Sequence, residues 1–310
     1  MVSLALLFPG QGSQRCGMLG ELPGSAAAQA VLDEARAWLD DHGLPANLDD
    51  EAVLRDTTAA QIALLITGVA CARTLGGDYA LRPQVVAGHS VGAFAAAVCA
   101  GVLTLPEALA AVALRGELMS AACAHGDWGM AAVIGLPTRA VGRLVDRLHT
   151  ELWVANVNTA TQTVLAGSLS ALRAAAGAAQ AAGAADFTML DVAVASHCPV
   201  QADTARRMAE HLSRLPRRIP SARYLTNTGG RAARTADAVL DDLAESVARP
   251  VQWYDATRLA PELGVTCAVE VLPGHVLTRL NAVNAPSVLS LSLSDNGFEG
   301  TSTLVRRMRD

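Results

Sequence analysis

A serine stands between two glycines in Gly88-His89-Ser90-Val91-Gly92. A hydroxyl is a weak nucleophile until a turn lifts it clear of the backbone and a base takes its proton. Alone, Gly-x-Ser-x-Gly is a weak pattern in a chain with 26 glycines. The flanks set it apart. Val85-Val86-Ala87 follows Pro83 and reads as a buried strand, and Ala93-Phe94-Ala95-Ala96-Ala97 reads as a helix. Strand, tight turn and helix form the context of a nucleophile elbow. The helix begins just after Ser90, so its free N–H groups face a reacting carbonyl.

A serine nucleophile needs a base, and the chain has seven histidines. His42 and His149 read as surface residues at helix ends, and His125, His211 and His275 have no evident partner. His89 precedes the serine, so its side chain points to the other face and reads as a packed support. His197, in Val194-Ala195-Ser196-His197-Cys198-Pro199, stands where two chain regions meet and is the best candidate. Arg115 lies on an otherwise apolar helical stretch that Pro106 helps to start. Glu117 is only two residues away and does not share its face. Arg115 therefore either snorkels to the surface or waits for an anionic ligand. Pro9-Gly10-Gln11-Gly12-Ser13-Gln14 is a glycine-rich loop after a short strand. It reads as a plain turn, a phosphate cradle, or a source of oxyanion-binding N–H groups.

Composition narrows the chemistry. The formal net charge of −5 leaves no basic excess for nucleic acid. All 24 cationic residues counted as Lys or Arg are arginine, which excludes a Schiff-base lysine and the usual P-loop. The six cysteines are scattered with no Cys-x-x-Cys pair, so a metal site is not expected. They suit free thiols in a reducing compartment. Met1-Val2-Ser3-Leu4 carries no basic region, and the apolar stretches read as too interrupted to span a membrane. A cytoplasmic protein is expected.

The elements that must position these groups follow an α/β plan. Leu4 to Phe8 and the elbow strand read as parts of a parallel-sheet core, with helices over 24–41 and 51–76. From Gly129 the order becomes strand, helix, strand, strand, helix and a last strand over Phe187–Val194. That βαββαβ order is ferredoxin-like. Residues 1–127 and 196–310 are expected to form a large α/β domain, and 128–195 a small insert. After the insert, strands are expected at 224–226, 267–272 and 288–291. Helices are expected near 237–248, 253–263 and 276–283, and the C-terminal tail with Arg306, Arg307 and Arg309 reads as a solvated end.

The chain also resembles the malonyl-CoA:acyl carrier protein transacylases. The likeness rests on Phe8-Pro9-Gly10-Gln11-Gly12-Ser13-Gln14, Gly88-His89-Ser90-Val91-Gly92, Arg115-Gly116-Glu117-Leu118-Met119 and Asn156-Val157-Asn158. Ser196-His197-Cys198-Pro199, Pro250-Val251-Gln252-Trp253 and Glu270-Val271-Leu272-Pro273-Gly274 complete it. The resemblance implies an α/β-hydrolase-like large domain with a ferredoxin-like insert. It implies that Ser90 carries malonyl as an ester, that His197 is the base, and that the Gln11 and Val91 N–H groups hold the oxyanion. It implies that Arg115 grips the malonyl carboxylate and that a backbone carbonyl, at Ser246 here, orients the histidine. No bound cofactor is implied: malonyl-CoA is the substrate, and a thiol on a carrier protein's phosphopantetheine-type arm is the acceptor.

Two positions depart from the family, with Ala93 for an acidic residue and Ser246 for a glutamine. The string from Gly88 to Val98 looks most similar to the transacylase (epsilon) subunit of malonate decarboxylase. That likeness implies a carrier subunit with a phosphoribosyl-dephospho-coenzyme A arm. Fatty-acid or polyketide transacylation and a serine thioesterase or hydrolase are the alternatives.

Overall fold

The computed structural model describes residues 3–192 and 194–308. Ten strands run in chain order as β1 (Leu4–Phe8), β2 (Val85–Gly88), β3 (Trp128–Ile134), β4 (Leu152–Thr159), β5 (Gln162–Ser168), β6 (Asp186–Met189), β7 (Arg223–Leu225), β8 (Ala232–Ala233), β9 (Cys267–Glu270) and β10 (Leu289–Ser292). The helices before the second sheet are α1 (Ala26–Asp41), α2 (Thr57–Gly77), α3 (Gly92–Cys99) and α4 (Leu105–Cys123). Those after its first strand are α5 (Thr138–Leu148), α6 (Leu169–Ala181), α7 (Ala202–Ser213), α8 (Ala236–Glu245), α9 (Trp253–Glu262), α10 (Val276–Asn284) and α11 (Leu293–Arg307).

The larger sheet has the order β10-β9-β1-β2-β7-β8 and is parallel except for β8. Strand β1 lies between β2 and β9, where the order of connection reverses. In open parallel sheets the crevice at the carboxyl ends of the strands at such a point receives ligands. Register delivers the two loops there together: Phe8 pairs with Gly88, so residues 9–14 leave the sheet beside the turn at 89–91.

Small residues make that crowding feasible. A Cβ on Gly88 would stand 2.1 Å from the Gly92 carbonyl carbon, and one on Gly92 would stand 2.2 Å from the Phe8 carbonyl oxygen. Only glycine lets β2, α3 and β1 approach this closely. Ala93 is fully buried at the start of α3, among apolar neighbours where a carboxylate would be costly.

Helix α2 is long and apolar enough to cross a membrane by length and composition, contrary to the expected interruption of such stretches. It is largely buried here, since α1, α3 and α4 all pack on it; Arg73 near its end is exposed and pairs with Glu34. Thr104 caps α4 with a capping box closed by Glu107, and Pro106 sits in the first turn.

The second sheet is antiparallel in the order β4-β5-β3-β6, with α5 and α6 in the expected sequence places. Strand β4 is stitched to the segment before α9 by the Val157 N–H to Val251 carbonyl bond (2.8 Å) and by Val251 N–H to Ala155 (2.9 Å).

Two expectations change. The last strand of the second sheet ends at Met189 rather than Val194: residues Asp186–Met189 pair with β3, and beyond them the Leu190 N–H makes a last bond to the Met130 carbonyl; Ala193 lies outside the described residues. The C-terminal segment is helix α11 rather than a loose end. Leu293 and Val305 join the main core, while Arg306 and Arg307 stay exposed and Arg309 lies outside the described residues.

Candidate active site

Ser90 sits at the apex of the elbow with φ of 54°, a left-handed conformation that a non-glycine residue adopts only when its surroundings impose it. His197 reaches it from 107 residues further along the chain: its Nε2 lies 2.8 Å from Ser90 Oγ. The other ring nitrogen, Nδ1, lies 2.5 Å from the Ser246 carbonyl oxygen. A carbonyl can only accept, so Nδ1 carries the proton and Nε2 is left as the acceptor for the serine hydroxyl. His197 also has positive φ (61°), and its N–H donates to Val247 at 2.7 Å.

The imidazole is 2 % exposed. Burial, and then the charge of Arg115, push its pKa down to about 3, against the opposing pull of the Ser246 carbonyl. It is therefore neutral at pH 7, the state a general base requires.

Arg115 is 1 % exposed. The snorkelling alternative is excluded. Its Nη1 donates to Gln61 Oε1 at 2.5 Å and its Nη2 to Ser90 Oγ at 3.0 Å. Its Nε–H has no partner, and among the described residues no carboxylate pairs with it. Glu117 is exposed on another face. Burial lowers the guanidinium pKa to about 10, so it stays charged at neutral pH. A buried cation among neutral acceptors is costly unless an anion arrives.

The backbone N–H groups of Gln11 and Val91 find no acceptor among the described residues. Both belong to the loops that the β1–β2 register brings together. The glycine-rich loop thus lies against the elbow, which favours its oxyanion reading over the phosphate one. Gln11, Ser90, Met119, Asn156, Leu190 and His197 help to line a cavity of about 60 Å³. A wider, more polar cavity of about 680 Å³ shares Gln11 and Val192 with it.

His89 is a support, as its place in the strand implied. Its Nε2 lies 3.1 Å from Asn158 Oδ1, its ring packs on Trp253 with centroids 5.4 Å apart, and burial lowers its pKa. All six residues singled out from the sequence, Gln11, Ser90, Val91, Arg115, His197 and Ser246, therefore converge at one place.

Sequence reasoning missed Gln61, whose amide bridges Arg115 and, at 3.4 Å, Gln11. Its signal was present: a lone amide inside the apolar run of α2. It also missed Asn227 and Asp242, which stand behind the elbow.

Comparison with known proteins agrees with this geometry. Residues 5–287 match the family model described as the acyl transferase domain. The malonyl CoA-acyl carrier protein transacylase of Escherichia coli is 33% identical across 94% of this chain and 99% of that protein. The crystal structure of an acyl carrier protein S-malonyltransferase from Vibrio cholerae superposes with a TM-score of 0.87 at 31% identity, covering 94% of this chain and 96% of that one. A malonyl-transacylase solved in complex with a type II PKS acyl-carrier protein gives a TM-score of 0.84 at 32% identity, covering 94% of each chain. Matched along most of its length by that family model, the chain belongs to the acyl transferase domain family.

Proposed function

We propose that this protein transfers malonyl from coenzyme A to the thiol of an acyl carrier protein, through a malonyl ester on Ser90. His197 Nε2 takes the proton of Ser90 Oγ as the oxygen attacks the thioester carbonyl. The Gln11 and Val91 N–H groups hold the oxyanion that forms. Its collapse breaks the C–S bond, and His197 returns the proton to the departing thiolate. The carrier's thiol then gives its proton to His197 as its sulfur attacks the ester carbonyl; collapse breaks the C–O bond to Ser90, His197 reprotonates Oγ, and the carrier leaves with malonyl. No resident cofactor or metal takes part.

The observation that carries this reading is Arg115, a buried guanidinium with an unpartnered Nε–H and no anion, one hydrogen bond from Ser90 Oγ. A malonyl group on Ser90 carries a free carboxylate of the opposite charge, and planar carboxylates suit the guanidinium fork. A lipase or simple esterase pocket has no use for that cation. The small cavity admits a short acyl group, and the wider one beside it suits the polar arm of the thioester. Free thiols at all six cysteines fit the cytoplasm, where coenzyme A thioesters are made and used.

The carrier is the finer question. The relatives' names, and the neighbour solved with a type II PKS acyl-carrier protein, support a carrier of fatty-acid or polyketide synthesis. The elbow string favours the malonate decarboxylase subunit instead. Offering radiolabelled malonyl-CoA with each carrier separates these readings. Label on a carrier identifies the acceptor, whereas label released mainly as free malonate makes the protein a hydrolase.

A further inference from the structure

Behind the elbow stands a buried polar chain that no step of the transfer uses. Asn227 Oδ1 accepts the Ser90 N–H at 2.9 Å, and Asn227 Nδ2 donates to the Gly88 carbonyl at 2.9 Å. One primary amide therefore bridges the two residues that flank His89. Asn227 is itself fixed at both ends: its carbonyl accepts the Gln252 N–H (2.7 Å), and its N–H donates to Asp242 Oδ2 (2.9 Å).

Asp242 is 4 % exposed and also receives Tyr224 Oη (2.9 Å), Thr228 N–H (2.8 Å) and Thr228 Oγ1 (2.8 Å). A buried carboxylate with four donors holds each of them firmly. The same residue reaches the histidine by its backbone. The Asp242 carbonyl accepts the Ser246 N–H at 2.9 Å, and the Ser246 carbonyl is the acceptor for His197 Nδ1.

We propose that Asn227 and Asp242 are positioning residues that tie the nucleophile's elbow and the histidine's acceptor to one rigid unit, the C-terminal half of α8. Asn227 holds Ser90 at its left-handed φ, a strained conformation for a residue with a side chain. Asp242 sets the distance between that elbow and the carbonyl that orients His197. Both partners are then held from one helix, although they lie 107 residues apart in the chain. The idea rests on Ser90 and His197 being the reacting pair.

The test compares single-turnover acylation by malonyl-CoA in Asn227→Ala, Asn227→Asp, Asp242→Asn and Ser90→Ala, alongside the downfield proton resonance of His197 Nδ1–H. Displacing a reacting group by about 1 Å costs about 10²-fold in rate, and that loss is expected of Asn227→Ala with the dissociation constant of malonyl-CoA within twofold. Asn227→Asp keeps the acceptor for Ser90 N–H but loses the donor to the Gly88 carbonyl, so its rate should fall between those of wild type and Asn227→Ala, an ordering that a mere folding defect would not give. Asp242→Asn should slow acylation and shift the His197 resonance, whereas Asn227→Ala should leave that resonance in place. Acylation within threefold of wild type in Asn227→Ala, or an unshifted resonance in Asp242→Asn, overturns the proposal. Ser90→Ala keeps the outcomes apart: if it still takes the label, the reacting pair itself is wrong.

Discussion

Replacing Arg115 by methionine removes the charge while keeping much of the volume. In the free protein the guanidinium is desolvated, meets only neutral acceptors and leaves one N–H unsatisfied. Removing a desolvated, unpaired charge relieves the cost of burying it, while Gln61 Oε1 loses its donor, a penalty of about 1–3 kcal/mol. The two oppose each other, so Arg115→Met is expected to melt within a few degrees of wild type. Catalysis should fall. Removing one partner of a buried ion pair costs about 3–5 kcal/mol, or about 10²- to 10⁴-fold in kcat/KM for malonyl-CoA. Acetyl-CoA has no carboxylate to lose, so its kcat/KM should hold or rise. Loss of the nearby positive charge also raises the basicity of His197. Thermal melting and steady-state kinetics with both thioesters measure the effects together. A variant that keeps its preference for malonyl over acetyl refutes the carboxylate clamp. A variant that melts well below wild type refutes the claim that Arg115 is held at a cost.

Three further outcomes follow from the same coordinates. Gly92→Ala should unfold at lower denaturant concentration and lose acylation, because its Cβ meets the Phe8 carbonyl oxygen at 2.2 Å; wild-type behaviour in both would contradict the close packing of α3 on β1. Ser246→Ala should keep activity within about threefold, since the backbone carbonyl accepts from His197 and a side chain is not needed there; a loss of about 10²-fold would assign the role to the hydroxyl. His197 binds its proton more weakly folded (about 3) than unfolded (about 6.5). Its contribution to stability is therefore complete above pH 6.5 and is lost as pH falls towards 3, because the unfolded chain binds the extra proton. Denaturant melts from pH 7 to 4 should show a shallower decline in His197→Gln than in wild type, and parallel slopes would count against a buried neutral imidazole.

Much of the site could be read before any coordinates, for local reasons. The elbow announces itself through strand, glycine and helix propensities that act over a dozen residues. Arg115 stood out because a cation on an apolar face demands a reason. The βαββαβ order was visible because each hairpin and helix in it is short and strongly patterned. Asn227 and Asp242 were not legible. In Thr226-Asn227-Thr228-Gly229-Gly230 an asparagine reads as turn chemistry, and its bonds to Gly88 and Ser90 span more than 130 residues. Helix α11 was hidden by Asp295, Asn296 and Gly297, which are poor helix formers. Gly297 in fact takes φ of 64° and kinks the element, which is held by core contacts at Leu293 and Val305. The largely apolar pattern of α2 follows from burial on most sides, which periodicity cannot distinguish from a membrane span.

The central claim is a covalent malonyl group on Ser90. Intact-protein and peptide mass spectrometry after mixing with malonyl-CoA measures it directly. The expected result is one malonyl adduct per chain, on the peptide containing Ser90, absent in Ser90→Ala and discharged when an accepting carrier is added. An adduct on another residue, or one undiminished in Ser90→Ala, would contradict it.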